Sequence, residues 1–207
     1  VIASPDVARA APILPKAGRY LAHAAIRNRG TFGGSLALAD PAAEWPAACL
    51  LLDARVRIVG EQGRREVPIG QFLQGMYMTA LEENELLESI VIPSRPADEK
   101  CCVLELARRH GDYASAAVMA SARVQGGQLT GLRLVFFAVA DAPVLDTKLN
   151  AQLQDTFNRG GASEVAPQAT QALAAHALRP DLYTEAATKA HLCGVLASRA
   201  LTQLAAA

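Results

Sequence analysis

Net charge is missing from this 207-residue chain: Lys plus Arg number 20, and Asp plus Glu number 20. A nucleic-acid binder needs a net or strongly patched positive field, so the balance argues against that class. The four cysteines, Cys49, Cys101, Cys102 and Cys193, form no CxxC pair, and no His or Asp stands at metal-ligand spacing from them. That pattern argues against a zinc or iron–sulfur site within the chain and fits reduced, mostly buried thiols of a cytoplasmic protein. Long apolar runs are also lacking. Ala47–Leu52 and Val135–Ala140 are far too short to cross a bilayer. Hydrophobic residues still make up 51%, which excludes a disordered chain. No internal repeat is visible. The chain starts at Val1 in a Pro- and Ala-rich stretch, as a fragment of a longer protein would.

The patterning predicts an α+β protein in two parts. Residues 1–39 carry Arg9, Lys16, Arg19, Arg27 and Arg29 against Asp6 alone. A helix is predicted from about Lys16 to Asn28, with Leu21, Ala24 and Ala25 on one face. Asp40-Pro41 reads as a helix start with Asp40 as N-cap, a short turn over 41–44 and a helix from about 46 to 53. Arg55–Val59 and Arg64–Ile69 form a hairpin around Gly60–Gly63, Gln71–Gly75 a helical turn or loop, and Leu86–Ile92 a strand. Ser94–Lys100 is polar and proline-bearing, the best linker, dividing an α/β part (1–95) from a second part (100–207). Cys101–Arg108, Ala114–Val124 and Gln128–Val139 read as three antiparallel strands, the last two joined at Gly126-Gly127. Alanine-rich helices near 146–155, 164–177 and 182–205 are predicted to cover one face. The last of these carries an apolar stripe from Leu182 through Cys193 to Leu204.

The run Gly30-Thr31-Phe32-Gly33-Gly34-Ser35 concentrates whatever chemistry the chain has. It lacks the GxGxxG order of a dinucleotide fingerprint and the closing Gly-Lys-Ser/Thr of a P-loop. It still holds the parts of an anion site. Successive glycine N–H groups make a nest, Thr31 and Ser35 add hydroxyls, and Arg27 and Arg29 raise the local potential. A helix N-terminus downstream adds the positive end of a dipole. Glycines kept only for a tight turn explain the same residues, and composition leaves both readings open. His23, His110, His176 and His191 are scattered and suggest no nucleophile triad. Glu82, Glu83, Glu85 and Glu88 read as a solvated loop and strand edge.

Taken in order, Ile26–Ser35 and Asp40-Pro41-Ala42-Ala43-Glu44 resemble a known pattern: I-R-N-x-G-T-I-G-G-N-x-A followed by D-P-A-A-D/E. It belongs to the FAD-binding medium subunits of molybdenum hydroxylases, of the carbon monoxide dehydrogenase and xanthine dehydrogenase type. Phe32 stands for the usual Ile and Ser35 for the frequent Asn. Phe72–Pro93 is similar to the family's F-x-G-x-x-x-T-x-L-x-x-x-E-L-L stretch, and Leu106–Ala120 to its R-R-x-x-D-Y/F-A motif. The resemblance runs from about Ile13 to Leu201. It departs at Glu105, where relatives often carry Lys, and at Thr188-Lys189 in place of Tyr-Arg, which reads as a packing change.

The resemblance implies a subunit that binds FAD and passes electrons from [2Fe-2S] clusters of an iron–sulfur small subunit to an external acceptor. A third, large subunit would carry the molybdenum cofactor. Thr31, Phe32, Gly33, Gly34, Ser35, Asp40, Glu44, Leu87 and Arg108 are the cofactor-binding candidates it implies. Asp40 and Glu44 would accept from ribityl or ribose hydroxyls, and Leu87 would pack on the ring. No residue of the chain is expected to act as acid or base, and none to bind metal. Arg108 and Arg109 either reach the isoalloxazine edge or make surface ion pairs. Trp45 and Tyr77 either stack near the flavin or pack at core and rim. Family members begin with a further subdomain whose glycine loop holds the FAD pyrophosphate. Residues 1–29 contain none, so this chain is expected to be one half of the cradle and to hold FAD poorly by itself. A flavin-free assembly module is the rival reading; a flavin oxidase of the vanillyl-alcohol type fits the C-terminal half poorly.

Overall fold

The computed structural model of the protein describes residues 1–109 and 111–206; His110, one of the four scattered histidines noted above, lies outside them. The chain opens with five helices: α1 (Pro5–Ala10), α2 (Ile13–Ala17), α3 (Ala24–Arg27), α4 (Phe32–Leu38) and α5 (Glu44–Leu51). There follow β1 (Arg55–Gly60), β2 (Gly63–Pro68), α6 (Ile69–Phe72), β3 (Leu73–Gly75), β4 (Met78–Thr79) and β5 (Glu85–Val91). The second half holds β6 (Glu99–Leu106), β7 (Ala116–Gln125), β8 (Gln128–Phe137), α7 (Thr147–Gly160), α8 (Val165–Leu173) and α9 (Ala186–Ala205). One antiparallel sheet has the order β2-β1-β5, another β6-β7-β8, and β3-β4 is a short ribbon. Among the described residues no helix is long and apolar enough to cross a membrane.

The predicted α+β class and the C-terminal three-stranded sheet with its helices are what the structure shows. Along β7 the side chains alternate between two cores. Ala116, Val118, Ala120 and Ala122 face a core built with α7, α8 and α9. Ala117 and Met119 face the other way, into the core that holds Trp45, Ala48 and Phe72 of the first half. Helices α7–α9 cover one face, and the opposite face is closed by α5. The segment read as a linker is tied down. Arg95 donates its N–H to the Ala10 carbonyl at 2.9 Å and its guanidinium to both Glu99 oxygens at 2.6 Å.

Three helix readings need correction. The helix expected over Lys16–Asn28 is broken into α2 and α3 by a bend in which Ala22 takes φ 21°. Ala24 and Ala25 are exposed, so their face has no core to bury against, and a stretch this short gains little from propensity alone. Asp40 caps no helix. Its Oδ1 accepts the Ala42 N–H at 2.9 Å in a side-chain turn, and α5 begins at Glu44, with Pro46 in the first turn where its missing N–H costs nothing. Leu182 lies outside α9 and is 91% exposed. Asp181 Oδ1 accepts the N–H groups of Tyr183 at 2.8 Å and Thr184 at 2.9 Å, a local turn that competes with helix.

Helix α9 crosses α8 at Gly194. A Cβ there would collide with Thr170 Oγ1 and the Ala166 carbonyl oxygen, which are themselves hydrogen-bonded at 2.8 Å. Gly194→Val is therefore expected to destabilise the fold by about 3 kcal/mol, lowering Tm by roughly 6–12 °C. A thermal melt followed by circular dichroism checks this, and a shift under about 2 °C would contradict the crossing.

Candidate functional site

A cavity of about 750 Å3 opens between α4, the 40–44 turn and residues 111–113 of the loop after β6. Its floor is the glycine run, which forms the first turn of α4. Thr31 is the N-cap, and its Oγ1 accepts the Gly34 N–H at 3.0 Å. The bonds that remain unmade are those of the Phe32 and Gly33 N–H groups, which have no intrahelical acceptor at a helix start. The glycine N–H groups thus point along a helix axis, and no extended nest forms. Gly34 serves close approach: a Cβ on it would lie 2.7 Å from Thr31 Oγ1.

The opposite wall is acidic and buried. Asp40 is 8% exposed and Glu44 is 7% exposed. No hydrogen bond from another residue reaches the Glu44 side chain among the described residues. Burial, reinforced by the Asp40 charge and opposed by its own N–H, pushes the Glu44 carboxyl up to about 7. Behind it, Glu105 on β6 has Oε1 enclosed without a hydrogen-bond partner. Burial first, then the Glu44 charge, pushes Glu105 up to about 8. Tyr113 leans over the same wall and is pushed up to about 12, by partial burial first and by Asp40 and Glu44 next. The Phe32 and Trp45 rings pack at 5.0 Å and 59°, fixing the start of α4 against that of α5.

Of the residues expected at the site, Thr31, Phe32, Gly34, Ser35, Asp40 and Glu44 line the cavity together. Gly33 turns away, toward Leu87 of β5, whose methyl would sit 3.7 Å from a Cβ on that glycine. Leu87 and Arg108 are not among the lining residues. The Arg108 guanidinium lies 3.8 Å over the Tyr183 ring, a cation–π contact on the loop before α9. Arg27 lines the cavity but is tied by 2.6 Å bonds to the carbonyls of Leu21 and Ala22, so it braces the bend. Tyr113 was missed as a site residue, although it is the tyrosine of the R-R-x-x-D-Y motif. Trp45 also lines the cavity, so it serves both core and site.

Comparison with known proteins places the chain in a family. Residues 1–95 match the family described as the FAD binding domain in molybdopterin dehydrogenase, and residues 103–204 match the CO dehydrogenase flavoprotein C-terminal domain. The carbon monoxide dehydrogenase medium chain of Hydrogenophaga pseudoflava is 31% identical over 97% of this chain and 69% of its own length. The nicotine 6-hydroxylase medium subunit of Paenarthrobacter nicotinovorans is 40% identical over 65% of this chain and 47% of its own length. This chain thus spans about half of that relative. Quinoline 2-oxidoreductase from Pseudomonas putida 86 superposes with a TM-score of 0.87 at 34% identity, over 99% of this chain and 70% of that one. The chain belongs to the FAD-binding medium-chain family of the molybdopterin dehydrogenases.

The two raised carboxyls set a pH dependence. Each binds its proton more tightly in the folded protein than at its ordinary 4.5, so its contribution is intact below that value and is lost as pH rises through 7 and 8. The flavin-free protein is expected to melt lower at about pH 8.5 than at about pH 6. Glu105→Gln, which cannot ionise, should flatten that slope and stabilise the protein at about pH 8.5 by about 1 kcal/mol or more. Thermal melts across the range decide it. A wild-type Tm that rises from the lower pH to the higher would refute the buried-acid assignment.

Proposed function

We propose that this chain holds FAD in the cavity between α4 and the 40–44 turn, as part of the flavoprotein subunit of a molybdopterin-dependent dehydrogenase complex. The observation that carries the reading is the pairing of a glycine floor with a buried carboxylate wall across one 750 Å3 cavity. That volume lies in the range of cofactor sites, and few polar groups converge on it, as such sites require.

The residues present fit the group. Glu44 is buried and lacks a partner for its side chain, and Asp40 keeps lone pairs free beyond its bond to Ala42. Carboxyl oxygens suit the hydroxyls of a ribityl or ribose chain. The unpaired N–H groups at the start of α4, with the Thr31 and Ser35 hydroxyls, suit phosphate or carbonyl oxygens. A bound flavin would supply reversible one- and two-electron redox chemistry; the protein's part is binding, orientation and exclusion of water. Asp40 and Glu44 would hold hydroxyl groups of the cofactor along the cavity. Gly34 would let it approach the backbone. Phe32 and Trp45 keep the two walls at fixed separation. The exposed Tyr113 stands at the edge of the cavity.

In this reading electrons arrive from [2Fe-2S] clusters on an iron–sulfur small subunit, itself served by a molybdenum-cofactor large subunit, and leave to an external acceptor. The relatives' names, a medium chain and a medium subunit, support membership of such an assembly. The unpaired thiols of Cys49, Cys102 and Cys193 support a cytoplasmic setting. Arg108, parked on Tyr183, would serve the cofactor only after leaving that ring, and Leu87 would support the floor from behind Gly33.

Gly34→Val tests the floor. In the natively expressed subunit it should weaken FAD binding by about a hundredfold, since the new side chain would displace the Thr31 hydroxyl that caps α4 and fill the approach to the backbone. Flavin fluorescence titration reads the affinity. The protein's far-UV dichroism should be unchanged. Wild-type-like FAD retention in the variant, or a wild-type subunit that takes up none, would refute the proposal.

A further inference from the structure

Lys189 is the one lysine of α9, and it is 4% exposed. A buried ammonium is costly unless every proton finds an acceptor. Here Nζ donates to the Ala138 carbonyl at 2.9 Å and pairs with Asp181 Oδ2 at 3.0 Å. Both acceptors belong to segments that lead back to the cavity, which lies on the other side of the β6-β7-β8 sheet from α9.

The first segment is the exit of β8. Ala138 has φ 63°, a left-handed conformation that an alanine adopts only under constraint. In that conformation its N–H donates to the Pro41 carbonyl at 2.9 Å. Pro41 sits between Asp40 and Glu44, in the turn already closed by Ala43 N–H to the Asp40 carbonyl at 3.0 Å. The peptide units around Ala138 therefore carry a link from the ammonium to the acidic wall. The second segment is the loop before α9. Asp181 accepts from Lys189 through Oδ2 and from Tyr183 and Thr184 through Oδ1, and the Tyr183 ring seats Arg108. Arg179 N–H adds a 2.8 Å bond to the Val139 carbonyl, next to Ala138.

We propose that Lys189 is a positioning residue for the cofactor site: through Ala138 and Pro41 it holds the Asp40–Glu44 turn in its binding geometry, and through Asp181 and Tyr183 it holds Arg108. The proposal rests on the FAD reading given above. Lys189 touches neither the cavity nor anything in it. It works by holding a strained alanine whose relaxed state would turn its N–H away from Pro41. Replacing it by an uncharged chain of similar length frees the Ala138 carbonyl, lets φ relax and loosens the wall. Arginine keeps the donor. Glycine at 138 keeps the left-handed conformation without needing the lysine.

The test uses the natively expressed subunit in four forms: wild type, Lys189→Met, Lys189→Arg and the double variant Ala138→Gly/Lys189→Met. FAD affinity is read by flavin fluorescence titration, and hydrogen exchange of the Ala138 amide is read on the flavin-free protein. Lys189→Met is expected to weaken FAD binding by at least about tenfold and to speed Ala138 exchange. Lys189→Arg or the glycine double variant should restore both, which a general loss of stability would not allow. A loss below about tenfold, or a loss that neither second variant repairs, overturns the proposal. Unchanged Ala138 exchange in Lys189→Met overturns it whatever the flavin does. A wild-type subunit that binds no FAD overturns the cofactor reading instead, and this inference with it.

Discussion

Over residues 116–122 strand β7 has no solvated face, and the rest of the molecule follows from that. An antiparallel sheet commonly buries one side and wets the other. Here residues 116–122 are all buried, because the helical layer α7–α9 takes one set of side chains and α5 takes the other. Two cores share one strand, so the halves on either side of the 92–98 segment cannot move independently without opening both. Arg133 reinforces this from β8, donating to the carbonyls of Leu50 and Leu51 at 3.1 and 2.9 Å and to Asp53 Oδ1 at 2.7 Å. The cavity lies where the rigid sheet meets the start of α5, which is why residues far apart in sequence hold it.

Rigidity of this kind lets the site carry unfavourable electrostatics. Burial raises the proton affinity of both Glu44 and Glu105; the Asp40 charge adds to the first and the Glu44 charge to the second. Glu105 is fixed by the β6 ladder opposite Ala117, and Glu44 by the first turn of α5. Neither backbone can yield. Glu105 occupies the position where the family resemblance leads one to expect Lys. A cation there would compensate the Glu44 charge; the carboxyl present instead is itself pushed up by burial and by that charge. A protonated Glu44 donates as well as accepts, which widens the set of groups it can hold. By contrast, the glutamates of the 82–88 stretch behave as surface charges: Glu85 pairs with Arg65 at 2.6 Å and Glu88 with Arg64 at 2.8 Å. Such exposed pairs contribute little.

What the sequence made legible were features with local physical signatures. The β1–β2 hairpin, the three C-terminal strands and the α9 stripe from Ala190 to Leu204 follow from period and turn residues. The cavity residues from Thr31 to Glu44 came from two adjacent motifs, and six of nine candidates meet there. Gly33 lies on the motif but away from the cavity, because α4 is a helix and successive residues point to different sides. The motif order alone does not show that Gly34 faces the cavity and Gly33 faces β5. The Lys16–Asn28 helix breaks because Ala24 and Ala25 have no core to bury against, although Leu21 packs on one. Lys189 looked like a packing change because the fate of its ammonium depends on a carbonyl 51 residues away.

The backbone strain has a geography that ties these points together. Among the described residues, five non-glycine residues take positive φ: Ala22, Ala39, Asp53, Tyr77 and Ala138. Four of them line the cavity or are hydrogen-bonded to segments that do. Ala22 lines it, with its carbonyl held by Arg27. Ala39 closes α4, giving its N–H to Ser35 and taking that of Tyr77 at 3.1 Å each. Tyr77 is thereby held left-handed with its ring in solvent. Ala138 meets Pro41. Each such conformation costs on the order of 1 kcal/mol or more, and each survives because a hydrogen bond from elsewhere holds it. Glycine would serve at every one of these positions at lower strain. A residue that is strained in place and locked by a partner marks a segment whose conformation matters more than its stability. All four locks bear on the two walls between which the cofactor reading places FAD.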